Sequence, residues 1–207
     1  MTATTAPAHG ASHTGRQQTI ANGKLAMWIF LSSEVMFFAG LLGSFVVLRI
    51  SNPEVFHPKY LEEVYHSALN VPLAGFNTLA LITSSLTMAL AVHGAQTRNN
   101  AKLRSMLVVT AALGVLFCIV KYFEYNAKFS HHVYPSTSIF YSCYFALTGI
   151  HVLHVIGGVV PIFAMAVLGG DGRFIRPGSI TIECMGLYWH FVDVVWIFLF
   201  PLLYLVK

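Results

Sequence analysis

The chain has 207 residues, of which 56% are hydrophobic and only 10% are charged, and its formal net charge is +4. Roughly a quarter of a typical soluble domain is charged, so this composition excludes a soluble globular enzyme and predicts a membrane protein. The basic residues lie mainly in short segments between apolar runs, which indicates membrane topology and not binding to nucleic acid.

Five apolar runs follow one another along the chain, each about as long as the 20 residues that a transmembrane helix needs. They cover about residues 25–48, 71–93, 103–125, 138–168 and 179–206. Residues 1–22 show no apolar periodicity and are rich in Thr, Ala, Gly and His, which predicts a disordered polar N-terminal tail. The sequence therefore predicts an all-α protein in which residues 23–207 form one domain, a bundle of five transmembrane helices.

The basic residues are distributed unequally over the two ends of the predicted spans. One side carries Arg16, Lys24, Arg98, Lys102, Arg104, Arg173 and Arg176. The other side carries Arg49, Lys59, Lys128 and Lys207. Because short cytoplasmic segments carry an excess of Lys and Arg, this bias predicts a cytoplasmic N-terminus and a C-terminus outside.

The fifth span contains two residues that are costly in hydrocarbon. His190 and Asp193 lie in the middle of the stretch GLYWHFVDVVWIFLFPLLYLV, and their spacing of three places them on one helical face. Glu183, seven residues before His190, extends this polar stripe. We therefore expect the fifth helix to turn its polar stripe toward the other helices.

The other spans offer polar partners at matching depths. Counting about 1.5 Å per residue from the ends of the spans predicts two layers of polar side chains. The inner layer contains Glu34, His151, His154 and His190. The outer layer contains Glu124 and Asp193, with Lys121 one helical turn from Glu124. The rotation of each helix is not fixed by this count.

Each of these residues has a structural and a functional interpretation. A polar group inside a membrane either joins helices by hydrogen bonds or marks a path for protons or substrate. His151, His154 and His190 also raise the alternative of a haem or copper site in a membrane electron carrier, although a haem between helices usually takes one His from each of two facing spans. A proton channel built on Glu34 and these histidines is a further alternative. Cys118, Cys143 and Cys184 show no metal-binding spacing and are expected to be packing residues.

Four segments identify a family. They are FLSSEVMFFAGLLGSF from Phe30, VKYFEYNAKF from Val120, ALTGIHVLHVIGG from Ala146 and GLYWHFVDVVWIFLF from Gly186. With these segments the chain resembles subunit III of the haem-copper respiratory terminal oxidases, from about Leu25 to its C-terminus. Longer members have two additional helices before the span that contains Ser33-Glu34-Val35, so the chain resembles the short five-helix bacterial form.

The resemblance implies a subunit without a catalytic centre, metal or redox cofactor of its own, in the bacterial plasma membrane. Such a subunit binds subunit I, which holds the haems and copper and reduces oxygen to water, together with other oxidase subunits. It stabilises subunit I, supports proton uptake and binds phospholipid. The resemblance also covers relatives that accompany nitric oxide reductases, and it leaves cytochrome c and quinol open as electron donors.

The resemblance also implies which polar residues matter. Glu34 matches the buried carboxylate that the family associates with carbodiimide reactivity and reduced proton pumping. Other buried polar positions of the family pattern correspond to Glu124, His151, His154, Glu183, His190 and Asp193. For these six the resemblance implies a place in the bundle and no catalytic role.

Overall fold

A computed structural model describes residues 10–57, 71–169, 174 and 180–205, with side chains from residue 22 onward. Within these residues the chain forms five α-helices: α1 Gly10–Ser51, α2 Val71–Gln96, α3 Asn100–Ser130, α4 Ile139–Leu168 and α5 Ile180–Phe200. A π-helical turn, Pro201–Leu205, continues α5. All five helices contain a stretch long and apolar enough to cross a membrane. The predicted all-α bundle of five membrane-spanning helices is therefore confirmed.

The ends of two helices differ from the predicted spans. α1 begins at Gly10, within the predicted tail, because no proline interrupts the chain between Gly10 and Ser51, although the stretch able to cross a membrane starts at Asn22. α3 continues past Tyr125 to Ser130. The predicted span ended where the apolar run ends, whereas the helix continues as long as its backbone hydrogen bonds do. Residues 1–9 lie outside the described residues, and the division into tail and domain stays a prediction.

The helices α2 and α3 form a tight antiparallel hairpin. Asn99 caps α3 by accepting a hydrogen bond from the backbone N–H of Lys102 at 3.0 Å. A Cβ atom at Gly94 would lie 2.9 Å from the backbone nitrogen of Leu103, so only glycine allows this close approach. The helices α3 and α4 form the next hairpin, and α4 begins at the N-cap Ser138.

The helix α5 packs against α1, α2 and α4 and carries two tryptophans into the centre of the bundle. Trp189 and Trp196 are fully buried, and each donates its indole N–H to a hydroxyl of α2, Ser84 and Thr78 respectively, at 3.0 Å. These two hydrogen bonds hold α5 against α2.

The helix α1 lies at the edge of the bundle. It contacts α4 and α5, and its buried residues Leu31, Phe38 and Phe45 recur every seven positions, which defines a single narrow stripe. Most of its other apolar side chains are exposed, including Met36 and Val47. Such a helix presents a broad apolar surface to lipid or to another protein.

Candidate functional site

A carboxylate on α1 and an imidazole on α4 form a contact across the bundle. Oε2 of Glu34 lies 3.1 Å from Nε2 of His154, and both side chains are about one-fifth exposed. Phe38 packs edge-on against the imidazole, with ring centroids 5.1 Å apart. Tyr188 of α5 donates a hydrogen bond to the backbone carbonyl of His154 at 2.9 Å, so three helices meet here.

The second ring nitrogen of His154 defines where protons lie in this pair. Nδ1 lies 2.8 Å from the carbonyl oxygen of Ile150, which can only accept a hydrogen bond, so Nδ1 carries a hydrogen. The contact between Nε2 and Glu34 then needs one further proton, held either by the imidazole or by the carboxyl group. Both arrangements are neutral overall, so the pair can hold one proton without leaving a net charge in the membrane.

A second polar cluster joins α3, α4 and the π-helical turn. Nζ of Lys121 donates to Glu124 at 2.8 Å and to the hydroxyl of Tyr204 at 2.7 Å. The other carboxylate oxygen of Glu124 accepts from Tyr144 at 2.8 Å and from Tyr204 at 2.6 Å. All four residues are buried, so the charges of Lys121 and Glu124 compensate each other within the bundle.

A second lysine extends this cluster toward the end of α3. Lys128 is buried, one helical turn beyond Glu124, and its Nζ lies 5.1 Å from the ring centroid of Tyr144. On the other side, Nζ of Lys121 lies 4.6 Å from the ring centroid of Trp196. Aromatic rings thus contribute part of the environment of both ammonium groups.

His151 lies apart from the Glu34–His154 pair. It is fully buried, its ring stacks on Trp196 with centroids 5.0 Å apart, and Phe117 meets its edge. Neither ring nitrogen has a hydrogen-bond partner among the described residues. The predicted inner layer is therefore divided, because residues three apart on a helix still differ in direction by about 60°.

The polar stripe of α5 faces α2. Nδ1 of His190 lies 2.6 Å from the hydroxyl oxygen of Ser85, and this contact is half-buried. Asp193 is only 4% exposed, and its two carboxyl oxygens have no hydrogen-bond partner in the described part of the chain. A buried polar group without a partner is unusual in a folded protein.

Glu183 lies near the beginning of α5, away from the buried stripe. Its carboxylate is 2.7 Å from Nζ of Lys24 on α1, and the two side chains are 32% and 47% exposed. The sequence interpretation grouped Glu183 with the buried polar residues, whereas its place in the first turn of α5 leaves it partly exposed. This pair joins the start of α5 to α1.

Several residues of these clusters were not among the predicted site residues. Tyr144 could have been predicted from the register of the α3–α4 hairpin. Glu124 and Tyr144 are equally far along the chain from Tyr134, which lies in the loop between the two helices, so they face each other. The same register places Phe117 opposite His151. Tyr204 gives no such signal, because a π-helical turn directs it into the bundle.

The described histidines, cysteines and carboxylates do not form a metal site. No group of three or more of these side chains lies close enough to hold a metal ion in the described residues. His154 contacts Glu34, His190 contacts Ser85, and His151 is enclosed by aromatic rings. The three histidines therefore occupy three separate environments.

Five spanning helices around a buried polar interior define an integral membrane protein of the helical bundle class. A family model described as cytochrome c oxidase subunit III matches residues 5–207. A probable cytochrome c oxidase subunit 3 of Mycobacterium tuberculosis is 33% identical over 86% of this chain and 85% of its own length. A cytochrome c oxidase subunit 3 of a Synechocystis species is 35% identical over 86% of this chain and 72% of its own length. A probable quinol oxidase subunit 3 of Staphylococcus haemolyticus is 27% identical over 88% of each chain.

The chain belongs to the cytochrome c oxidase subunit III family. It is thus a subunit of a haem-copper terminal oxidase, and it forms a complex with other oxidase subunits. The predicted family and function are confirmed, and neither a nitric oxide reductase subunit nor a haem-binding electron carrier is favoured.

Proposed function

We propose that this chain is a non-redox subunit of a proton-pumping oxidase, in which subunit I holds the haem and copper and reduces oxygen to water. The chain binds the flank of subunit I, stabilises it during turnover and supports proton uptake. The Glu34–His154 pair carries this proposal, because its geometry holds one proton without a net charge. No catalytic centre and no redox cofactor belong to this chain.

The exposed surface supports a partner in the membrane. Large apolar side chains are exposed on every helix, and α1 uses only one stripe for contacts within the bundle. Subunit I, other oxidase subunits and phospholipid together cover these faces. The buried polar residues Glu124, His151 and Asp193, with the partly exposed Glu34, His154, Glu183 and His190, serve helix packing and proton handling within the subunit.

The membrane is proposed to be the bacterial plasma membrane, with the N-terminus in the cytoplasm and the C-terminus outside. The excess of basic residues on the N-terminal side supports this orientation. Arg16, Lys59, Arg173, Arg176 and Lys207, which enter the count, lie outside the residues whose side chains are described. Alkaline phosphatase fused after Lys207 should be active, because the enzyme folds outside the cytoplasm, whereas an inactive fusion would reverse the orientation.

The central test is purification of the tagged chain in a mild detergent, followed by an absorption spectrum and metal analysis. We expect a large subunit with haem and copper to copurify, and the complex to consume oxygen. Haem with non-haem iron and no copper would instead indicate a nitric oxide reductase. Haem bound to the isolated chain would contradict the proposal of a non-redox subunit.

A further inference from the structure

The carboxyl group of Asp193 lies inside the bundle without a compensating charge. Its side chain is 4% exposed, and neither oxygen has a hydrogen-bond partner among the residues whose side chains are described. The ion pairs within these residues do not include it; they are Lys24–Glu183, Lys121–Glu124 and Glu34–His154. A carboxylate without a cation is costly inside a membrane, so the favoured form of Asp193 is the neutral acid, which keeps its proton.

The packing of α5 on α2 brings Ser85 beside this carboxyl group. The hydrogen bonds of Trp189 and Trp196 show that the two helices are antiparallel, and Asp193 lies between the two tryptophans on α5. Side chains lean toward the N-terminus of their own helix, so those of Asp193 and Ser85 lean toward each other. The hydroxyl of Ser85 is close enough to act on the carboxyl group, although the two do not have hydrogen-bond geometry.

Ser85 also contacts an imidazole that reaches the surface of the bundle. Its hydroxyl oxygen lies 2.6 Å from Nδ1 of His190. A hydroxyl group can donate one hydrogen bond while it accepts another, so Ser85 can donate to His190 and accept from the acid of Asp193. His190 is half-buried, whereas Asp193 is buried. The three side chains therefore form a row that leads from the interior of the bundle to its surface.

We propose that Asp193, Ser85 and His190 form a proton relay in which Asp193 stores the proton. A small rotation of the carboxyl group completes the contact with Ser85. The O–H bond of Asp193 then breaks and its proton passes to Oγ of Ser85, while the Ser85 proton passes to Nδ1 of His190. The imidazolium releases its Nε2 proton at the surface, which leaves a carboxylate inside and a neutral ring. The reverse steps reload the acid, so no further reactant is needed.

The relay is separate from the other ionisable groups around α5. The acidic, basic and imidazole side chains described on the helices packed against α5 are Lys24, Glu34 and Arg49 on α1, His93 on α2, and His151 and His154 on α4. In the described part of the chain, none of them forms an ion pair with Asp193. The inference deepens the proton-uptake part of the proposed function, on which it rests, by adding a second proton-holding group.

Infrared spectroscopy of the purified oxidase complex tests whether Asp193 holds a proton. Asp193→Asn replaces the acid by an amide of the same shape, and Glu183→Gln is the matched control on α5, because Glu183 forms an ion pair with Lys24. We expect the Asp193→Asn complex to lack one C=O stretching band of a protonated carboxyl group that the native and Glu183→Gln complexes show. Asp193→Leu, with an apolar side chain of similar volume, should lack the same band. Retention of every such band in both Asp193 variants would overturn the inference.

The rate at which this band shifts after transfer to heavy water tests the route of the proton. Ser85→Ala removes the hydroxyl group, and Ser85→Thr is its control because it keeps one. Exchange in the Ser85→Ala complex should be slower by about a hundredfold, the lower end of what a positioned proton-transfer group contributes, whereas Ser85→Thr should exchange at nearly the native rate. His190→Phe should slow exchange as well. Equal rates in the native and Ser85→Ala complexes would overturn the relay.

Failure of the relay is distinguishable from failure of the proposed function. Absence of oxidase subunits from the complex with the native chain would contradict the proposed function. An intact, oxygen-consuming complex in which Asp193 contributes no acid band would contradict only the relay.

Discussion

At the scale of single residues, this subunit contains two pairs of ionisable side chains inside the bundle that differ in character. Lys121 and Glu124 are fully enclosed by tyrosine hydroxyls and aromatic rings, so every hydrogen bond of the carboxylate is made within the protein. Glu34 and His154 are each about one-fifth exposed and share a single contact. The first pair joins helices through hydrogen bonds, and the partial exposure of the second fits the proposed role in proton uptake.

Replacing Glu34 by Gln should separate these two roles at the pair. The amide can donate to Nε2 of His154, so the contact and the assembled complex should survive, but the exchangeable proton is lost. We expect fewer protons to be released per electron, measured with a pH-sensitive dye outside liposomes that contain the oxidase. Glu34→Leu, which removes the contact, should in addition destabilise the isolated chain by about 1 kcal/mol. Unchanged proton release in Glu34→Gln would contradict a role of the pair in proton uptake.

A double-mutant cycle tests whether the contact itself stabilises the chain. Glu34→Leu and His154→Leu, singly and together, are compared by thermal unfolding in detergent. Residues in direct contact should show losses that are not additive, with an interaction free energy on the order of 1 kcal/mol. Strictly additive losses would contradict a direct interaction between the two side chains.

Replacing Lys121 by Met should destabilise the outer cluster strongly. Glu124 would keep its two tyrosine donors but lose its compensating charge, and an unpaired buried charge costs about 3 to 5 kcal/mol. The double variant Lys121→Met with Glu124→Leu should recover most of this loss, as judged by the unfolding temperature in detergent. Tyr204→Phe removes hydrogen bonds without exposing a charge and should cost only about 1 kcal/mol. A Lys121→Met variant as stable as the native chain would mean that the cluster contributes little to the stability of the fold.

At the scale of helices, α5 is fixed by a slot that α3 and α4 provide for Trp189. A Cβ atom at Gly158 would lie 2.7 Å from the indole ring, and one at Gly114 would lie 2.9 Å from it. These two glycines therefore allow the ring to enter between the helices and donate its N–H to Ser84 on the far side. In a membrane, close packing at small residues drives helices to associate, whereas in soluble bundles the hydrophobic effect does so.

Gly158→Ala should therefore displace Trp189 and destabilise the chain by about 1 to 3 kcal/mol, which is typical of an overfilled core. Gly40→Ala is the matched control, because a Cβ atom there would meet no atom within 4 Å. Both substitutions favour the helical backbone equally, so their difference in unfolding temperature reports the clash. A Gly158→Ala variant as stable as Gly40→Ala would show that the slot can widen without cost.

At the scale of the whole molecule, the bundle exposes a large apolar surface to its surroundings. The face of α1 that points away from α4 and α5 is apolar and exposed, and so are many outward-facing side chains of α3 and α4. A subunit of this kind is expected to contribute stability to the complex and not chemistry. Its removal should therefore leave the redox centres of the remaining oxidase in place.

Depletion of this chain from the oxidase should leave the haem and copper spectra unchanged, because the proposed redox centres all belong to partner subunits. We expect oxygen consumption to start near the normal rate and then to decline over repeated turnovers. Oxygen uptake is recorded over time, and readdition of the purified chain serves as the control. Loss of a haem band on depletion would contradict a non-redox subunit.

The sequence predicted the architecture because hydropathy and span length determine how many helices cross the membrane. Of the polar residues singled out in the sequence, Glu124, His151 and Asp193 are buried, whereas Glu183 lies at the surface end of its helix. Counting depth along the helix could not separate His151 from His154. Residues three apart on a helix differ in direction as well as in depth, and the count gives only the depth. Tyr204 could not be predicted, because Pro201 lies at the start of a π-helical turn that changes the direction of the side chains beyond it.

The contact between Glu34 and His154 joins the first and fourth helices, and it has a consequence for the order of synthesis. The two residues are 120 positions apart, so at about 5 to 20 residues per second the ribosome needs roughly 6 to 24 seconds to supply the histidine after the glutamate. During that interval α1 carries a carboxyl group inside the bilayer without its imidazole. A nascent chain that stops before its fourth helix is complete therefore leaves this carboxyl group of the first span without its partner.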